Sequence, residues 1–476
     1  MKKLTYTMIA AFLFCSVEAQ IQNAGFENMT DGLPNHWNIK KTDLYEGKVD
    51  YTQYFGGKAS MQLTGKTNDT KNFQSFSQKV PLDIQQLEKI EISAYVKSEN
   101  TNGIINLWTQ VKDENGQMID FGNSESQQKS IAVNKDWTKY SLIFTVDKNV
   151  KSLLLGGVFT GNGTVWFDHF ELNKIAFSKE EPSKISIKYI QEFKDIVKKN
   201  SIVSDKLDWQ NIETNLGYLS KGMKTVDDTD TALNYIIKNL REAGDNHSFI
   251  DGKERTEKQK IANTNDAKPD SRLIDQNIGY ISVPGFASLN TEVGDTFALQ
   301  IHNMIKKLDS ENAIKGWIVD LRTNTGGNMH PMISGLGSLI GEGTLGYFVY
   351  NGKKSPWIYK NRKFGPHKIK EPYELKSGQS KIAVLIGPST ASSGESTTIA
   401  FIGKNNVKLF GQPSAGYTSA NRPYTLSDGK SLALATSYEM DRNGKVYYGK
   451  IDPDIPVEPK EGQDMDIEAA KVWILN

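Results

Sequence analysis

The hydrophobic pattern of this chain changes its repeat once, near residues 175–184, and one layered core cannot serve both repeats. Before the change, apolar and polar residues alternate with period two, as in residues 103–111 and 137–146, in segments broken by Gly, Asn and Asp. That is the pattern of an antiparallel β-sandwich. After it, Ile187, Ile190, Phe193 and Val197 recur at helical spacing, and Glu180-Glu181-Pro182-Ser183 marks the linker. The region to about Gly244 reads as mainly helical. From Ile278 onward, strand-like runs at 278–283, 316–321 and 381–386 alternate with helical stripes such as Phe297, Ile301, Met304, Ile305 and Leu308. This order is α/β, and 476 residues give length for several cores.

Residues 1–19 read as an export signal: Lys2-Lys3, the apolar run Met8–Phe14 and Val17-Glu18-Ala19, with cleavage expected before Gln20. Phe14 precedes Cys15 where lipid attachment prefers a small residue, so soluble export to the periplasm or exterior is expected. No later apolar run reaches the length of a membrane span. The 57 Lys and Arg balance 56 Asp and Glu, and removing two lysines and one glutamate with the signal brings the net charge from +1 to zero. Nothing here favours nucleic acid. Cys15 is the sole cysteine and leaves with the signal, so a thiol nucleophile is excluded. Six histidines leave little material for a metal site, and no cofactor is implied.

Three segments carry candidate chemistry. Asp320-Leu321-Arg322-Thr323-Asn324-Thr325-Gly326-Gly327-Asn328 runs from a strand into a glycine turn, where Gly326 and Gly327 can present backbone N–H groups to an oxyanion. A plain turn is the alternative. Gly387-Pro388-Ser389-Thr390-Ala391-Ser392-Ser393-Gly394-Glu395 ends a strand before a helix, which places a serine at a helix N-terminus as nucleophile or as an ordinary N-cap. Gly244-Asp245-Asn246-His247-Ser248-Phe249 holds a histidine among short polar residues, catalytic or structural. In the first half, Trp108 shares a strand face with Asn106 and Gln110, an arrangement that stacks a sugar ring or packs beneath a neighbouring segment. Trp166, alternating with Asp168, Phe170 and Leu172, reads as core.

Taken together, the Asp-Leu-Arg-x-Asn-x-Gly-Gly segment, the later Thr-Ala-Ser-x-x-Glu and Ile451-Asp452-Pro453-Asp454-Ile455 resemble the tail-specific (carboxyl-terminal-processing) serine protease family over roughly 185–465. The resemblance implies a small helical cap (177–262) and an α/β core of the spiral crotonase/Clp-protease type (263–476). It implies Ser392 as nucleophile, with the N–H of Ser393 joining Gly326 and Gly327 in the oxyanion hole. Where the processing branch has a lysine base, this chain has Tyr417, and tyrosine ordinarily titrates near pH 10. The chain is instead similar to the tricorn-like branch, whose histidine base maps onto His247, expected to titrate near 6.5. The orienting acid is open among Glu439, Asp452 and Glu395. Only about 28 residues separate Phe249 from Ile278, too few for the PDZ domain usual in the processing branch.

Asn23-Ala24-Gly25-Phe26-Glu27, Trp37, Asp136-Trp137 and Gly163-Thr164-Val165-Trp166-Phe167-Asp168 resemble the jelly-roll carbohydrate-binding modules of secreted bacterial enzymes, implying a galactose-binding-like sandwich at 20–176 with a glycan partner or a spacer role. The expected function is a secreted serine endopeptidase acting on polypeptides. A catalytically inactive protease fold that binds glycan or peptide is the alternative, and ester or amide hydrolysis is a third reading.

Overall fold

The computed structural model describes residues 21–40, 42–67, 72–124, 131–251, 268–371 and 373–476. The export signal at 1–19, with Cys15, lies outside the described residues, as do residues 252–267 of the stretch too short for a PDZ domain. The chain divides into two compact units, one running to Ile187 and including Trp209–Lys238, the other comprising Lys188–Asp208 and Asn239–Asn476.

The first unit is built from the period-two half. Two five-stranded sheets run in the orders Thr138–Val146, Glu88–Glu99, Asn162–Ile175, Ser60–Lys66, Tyr45–Asp50 and Asn38–Ile39, Gln74–Pro81, Ser152–Phe159, Ile105–Lys112, Met118–Asn123. Every neighbouring pair in them is antiparallel. Their inner faces form one core in which Phe26, Trp37, Phe76 and Phe170 meet with ring centroids 4.9–6.1 Å apart. Trp166 is buried, as its pattern implies, but not on the face that holds Phe170. A bulge between Asp168 and Glu171, with His169 at φ +52°, restores Phe170 to the inner side with Val165 and Phe167. Trp166 is therefore buried on the opposite face, where its Nε1 donates to Asp50 Oδ2 at 2.8 Å.

Helices Lys184–Asn200, Trp209–Leu219 and Asp230–Glu242 follow. The last carries Lys238, whose side chain is fully buried and paired with Asp147 at the end of strand Thr138–Val146. An ammonium taken out of water survives only with such a partner, so this pair ties 209–238 to the sandwich.

The second unit holds two six-stranded sheets. One runs Asp270–Ile274, Ile278–Ser282, Gly316–Asp320, Lys381–Ile386, Val407–Gly411, Ile455–Pro456, antiparallel at the first pair and parallel thereafter. Its continuously apolar strands are buried, as expected for parallel sheets. The other centres on Ser431–Asp441, flanked by Phe249–Asp251 and Gly343–Tyr350 on one path, with Lys353–Tyr359 beyond and Ser419–Thr425 also paired to the central strand. Arg322, just past the end of Gly316–Asp320, binds Asp320, Asp464 and Asp466 at 2.6–2.9 Å and so fastens the C-terminal helix Met465–Leu475 to the sheet. Among the described residues no helix is long and apolar enough to cross a membrane.

Lys238→Met strands the Asp147 carboxylate and is expected to destabilise the first unit by about 3 kcal/mol in denaturant unfolding. Adding Asp147→Asn should recover most of that loss; a neutral single mutant would mean the pair does not anchor the segment.

Candidate active site

Gly316–Asp320 and Lys381–Ile386 are paired parallel neighbours, so the turns that leave their C-terminal ends emerge side by side, the usual place for a site in such sheets. The two turns are stitched together. Ala391 N–H donates to Asn324 O at 2.9 Å, Thr390 Oγ1 to Leu321 O at 2.9 Å, and Ser393 Oγ to Gly327 O at 2.6 Å.

Ser392 sits between strand and helix Ser393–Ile399 with φ +52° and ψ −118°, a conformation that a residue with a Cβ adopts at a cost of order 1–3 kcal/mol. Ser392 is also the N-cap of that helix, in a capping box with Glu395, at the kind of strained strand-to-helix turn that carries serine nucleophiles. The Ser392 hydroxyl donates no hydrogen bond among the described residues, whereas that of Ser393 is committed to Gly327. Gly326, at φ +100°, lies so close that an added Cβ would stand 2.9 Å from Ser392 Cβ. Its N–H donates to Asn324 Oδ1 at 3.0 Å, so Gly326 supplies space beside the serine rather than a free donor. The Gly327 and Ser393 amides have no acceptor among the described residues.

Glu395 explains how the turn is held. Fully buried, its Oε2 accepts from the amides of Ser392 and Tyr417 at 2.8 Å each, and its Oε1 from Gly416 N at 2.8 Å and from Ser414 Oγ. The two amides sharing Oε2 therefore lie within 5.6 Å of each other. Burial pushes the carboxyl above its ordinary range, against the four donors.

Tyr417 in turn stacks on His247, ring centroids 5.4 Å apart at 18°. The histidine loop is shaped by Asp245, whose Oδ1 accepts from the amides of His247 and Ser248 at 3.0 Å, while Asn421 Nδ2 donates to His247 O at 2.8 Å. His247 Nδ1 lies 3.0 Å from both the carbonyl and the hydroxyl of Ser419. A carbonyl only accepts, so Nδ1 carries the proton and Nε2 holds the free lone pair. Burial lowers the imidazole to about 4, with the Ser419 carbonyl opposing, well below the 6.5 expected from sequence. Among the described residues His247 and Ser392 share no hydrogen bond in this conformation.

None of the three acids considered orients His247. Glu395 holds the Ser392 turn, Asp452 is exposed, and Glu439 lies behind the helix, where Ser396 Oγ donates to it at 2.6 Å. Glu439 is fully buried and pushed up to about 8 by that burial, with Glu395 nearby adding to the rise. Ser419 takes the orienting place and was missed, although it stands two residues beyond Tyr417 in a segment already marked as unusual.

On the sandwich, Trp108, Gln110 and Lys112 share the outer face of strand Ile105–Lys112. Trp108 is half-buried opposite Gly156 and Asn123, and its Nε1 is buried with no acceptor among the described residues. Asn106 is buried, and its Oδ1 accepts from Ser124 Oγ at 2.9 Å, which draws it into the fold. No metal-holding group of three or more His, Cys, Asp or Glu occurs among the described residues.

Residues 277–457 match the sequence family described as "Peptidase family S41", and residues 18–156 match a "Carbohydrate binding domain". The chain is 32% identical over 322 residues to the nisin-resistance protein of Lactococcus lactis subsp. lactis, across 64% of this chain and 93% of that one. It is 27% identical over 190 residues to the carboxy-terminal processing protease CtpA of Bacillus subtilis (strain 168), across 40% and 36%. The solved structure of a lipoprotein from Streptococcus agalactiae superposes with a TM-score of 0.50 at 29% identity, over 62% of this chain and 97% of that one. The two stitched turns and the Tyr417 segment all fall inside the first match, and the sandwich carries the second: the chain belongs to peptidase family S41, with a carbohydrate-binding β-sandwich module ahead of a serine-peptidase α/β core.

Proposed function

We propose that this protein is an exported serine endopeptidase in which Ser392 attacks the peptide carbonyl and His247 acts as general base. The observation that carries the reading is the left-handed backbone of Ser392, whose hydroxyl donates no hydrogen bond among the described residues, beside a Ser393 whose hydroxyl donates to Gly327. His247 Nε2 takes the serine proton as Oγ bonds to the carbonyl carbon, and returns it to the leaving amine when the C–N bond breaks. The amides of Gly327 and Ser393 receive the carbonyl oxygen as it becomes negative. Water then attacks the acyl carbon as its proton passes to His247 Nε2, and that proton goes on to Ser392 Oγ as the carbon–Oγ bond breaks and the acid leaves. Tyr417 occupies the processing branch's lysine position and packs on the imidazole, which supports histidine as the base. Residues 1–19 supply export, and the Trp108 face of the sandwich, with Gln110 beside it and Asn106 beneath it, holds the enzyme to a glycan. Trp108 Nε1, buried and without an acceptor, supports a ligand there.

Ser392→Ala is expected to lower kcat on an unstructured protein by at least about 10³-fold, with loss of fluorophosphonate labelling, while Ser393→Ala keeps most activity. Full activity in Ser392→Ala would remove the assigned nucleophile, and a folded wild type that neither labels nor cleaves would leave the binding-protein reading. Because the imidazole sits near 4, kcat/KM should stay level as pH falls through 6.5 and drop only near 4, where Nε2 becomes protonated. A half-drop at 6.5 would place another group in the base's role. In affinity electrophoresis through a panel of plant and bacterial polysaccharides, at least one should retard the wild-type chain, and Trp108→Ala should abolish that retardation; equal retardation of both would move the glycan site elsewhere.

A further inference from the structure

Beside His247 the antiparallel sheet presents a continuous cross-strand row. Ser419, whose hydroxyl meets the imidazole, pairs with Tyr438; Tyr438 pairs with Val349; and Val349 pairs with Lys354. Directly opposed residues point to the same side of a sheet, so these four side chains share one face. The opposite side is occupied by Glu439 toward the helix of the nucleophile and by the buried Trp357, which leaves the row on the outer face. Tyr448, 72% exposed, packs edge-on against Tyr438 with centroids 4.7 Å apart, so aromatic surface borders the row on the histidine side.

The far end of the row is cationic. Between Asn351 and Lys370 the chain carries seven Lys and Arg and no Asp or Glu. Lys354 is exposed and makes no ion pair among the described residues; its Nζ lies 5.8 Å from the centre of the Tyr347 ring on the same face. Adjacent strands lie about 4.8 Å apart, so three steps from Ser419 to Lys354 cover about 14 Å, the length of about four residues of extended peptide.

We propose that this outer face carries the substrate chain away from His247 and selects a carboxylate about four residues from the scissile bond, bound by Lys354. The inference rests on the reading of His247 as the base. The surface accordingly favours polypeptides with an apolar or aromatic residue near the cleaved bond, followed by Asp, Glu or a free C-terminal carboxylate. A lysine on the edge strand Lys353–Tyr359 also discourages strand-to-strand aggregation, but a glutamate guards an edge equally well, so charge reversal separates the two roles.

The test uses quenched fluorogenic peptides of one neutral sequence in which a single Asp is moved through five positions on each side of the cleaved bond. With the full chain, Asp about four residues away on one side should raise kcat/KM about fivefold, as an exposed ion pair permits. The gain should vanish near 0.5 M salt, and Lys354→Glu should abolish or invert the ratio of acidic to neutral peptide. Binding of the same labelled peptides to Ser392→Ala, read by anisotropy, tests the face without catalysis. Cleavage with no positional preference, or a ratio unchanged in Lys354→Glu, overturns the proposal and leaves the catalytic reading intact. Charge-dependent binding without cleavage by the wild type has the opposite meaning. Neither binding nor cleavage overturns both.

Discussion

The peptidase-family half of the molecule depends on one buried carboxylate. Glu395 gathers the amide of the residue placed as nucleophile, the amides of Gly416 and Tyr417, and the hydroxyl of Ser414. Without it the buried Ser414 hydroxyl would lose its acceptor, at a cost of about 1–3 kcal/mol, and three partly buried N–H groups would lose theirs. With it, the strained Ser392 turn is tied directly to the segment whose tyrosine lies on the histidine. The strain at φ +52° is tolerable because the surroundings over-determine it. The same carboxylate makes Ser392 the N-cap of helix Ser393–Ile399, with Glu395 closing a capping box on it.

The histidine side is built differently. A carboxylate at Nδ1 would stabilise the imidazolium and raise its pKa; the neutral carbonyl and hydroxyl of Ser419 fix the tautomer while doing little for the charge. Burial beneath Tyr417 then lowers the imidazole to about 4. The imidazole is thus unprotonated throughout the neutral range, and as the proposed base it would have a weaker driving force for taking a proton.

What was legible in the sequence was local. The change from period two to helical spacing marks where sandwich gives way to helix, and the glycine turn and the Thr-Ala-Ser turn each follow a strand that periodicity alone exposes. Their adjacency was not legible, because it follows from the parallel pairing of Gly316–Asp320 with Lys381–Ile386 across some 65 intervening residues. Ser419 escaped for the same reason: 172 positions separate it from His247, and nothing in Thr418-Ser419 marks an orienting group. That buried Trp166 and Phe170 lie on opposite faces was not legible, because one bulge reverses the in-and-out parity of every residue beyond it, and period-two reading assumes that no residue is inserted. The grouping of 209–238 with the sandwich rests on Lys238 meeting Asp147, a buried ion pair that no hydropathy pattern encodes.

A second carboxyl group, Glu439 behind helix Ser393–Ile399, sets the electrostatic balance of the site. Two neighbouring buried carboxylates repel, and Glu439, with a single hydroxyl donor and an unpartnered Oε2 among the described residues, is the worse solvated of the two. It therefore keeps its proton to about pH 8, leaving the negative charge to Glu395 and its four donors. Linkage gives the two perturbed groups opposite signs. Between about 4 and 6.5 the unfolded chain protonates His247 and the folded chain does not, so that residue makes stability rise with pH. Glu439 holds its proton only when folded from its ordinary value near 4.5 up to about 8, so its contribution makes stability fall with pH across that window. The slopes oppose each other up to 6.5, and above it only the loss from Glu439 continues. Deprotonation of Glu439 would place a second charge against the helix that Ser392 begins, so the site is held best where His247 is already neutral and Glu439 is still protonated.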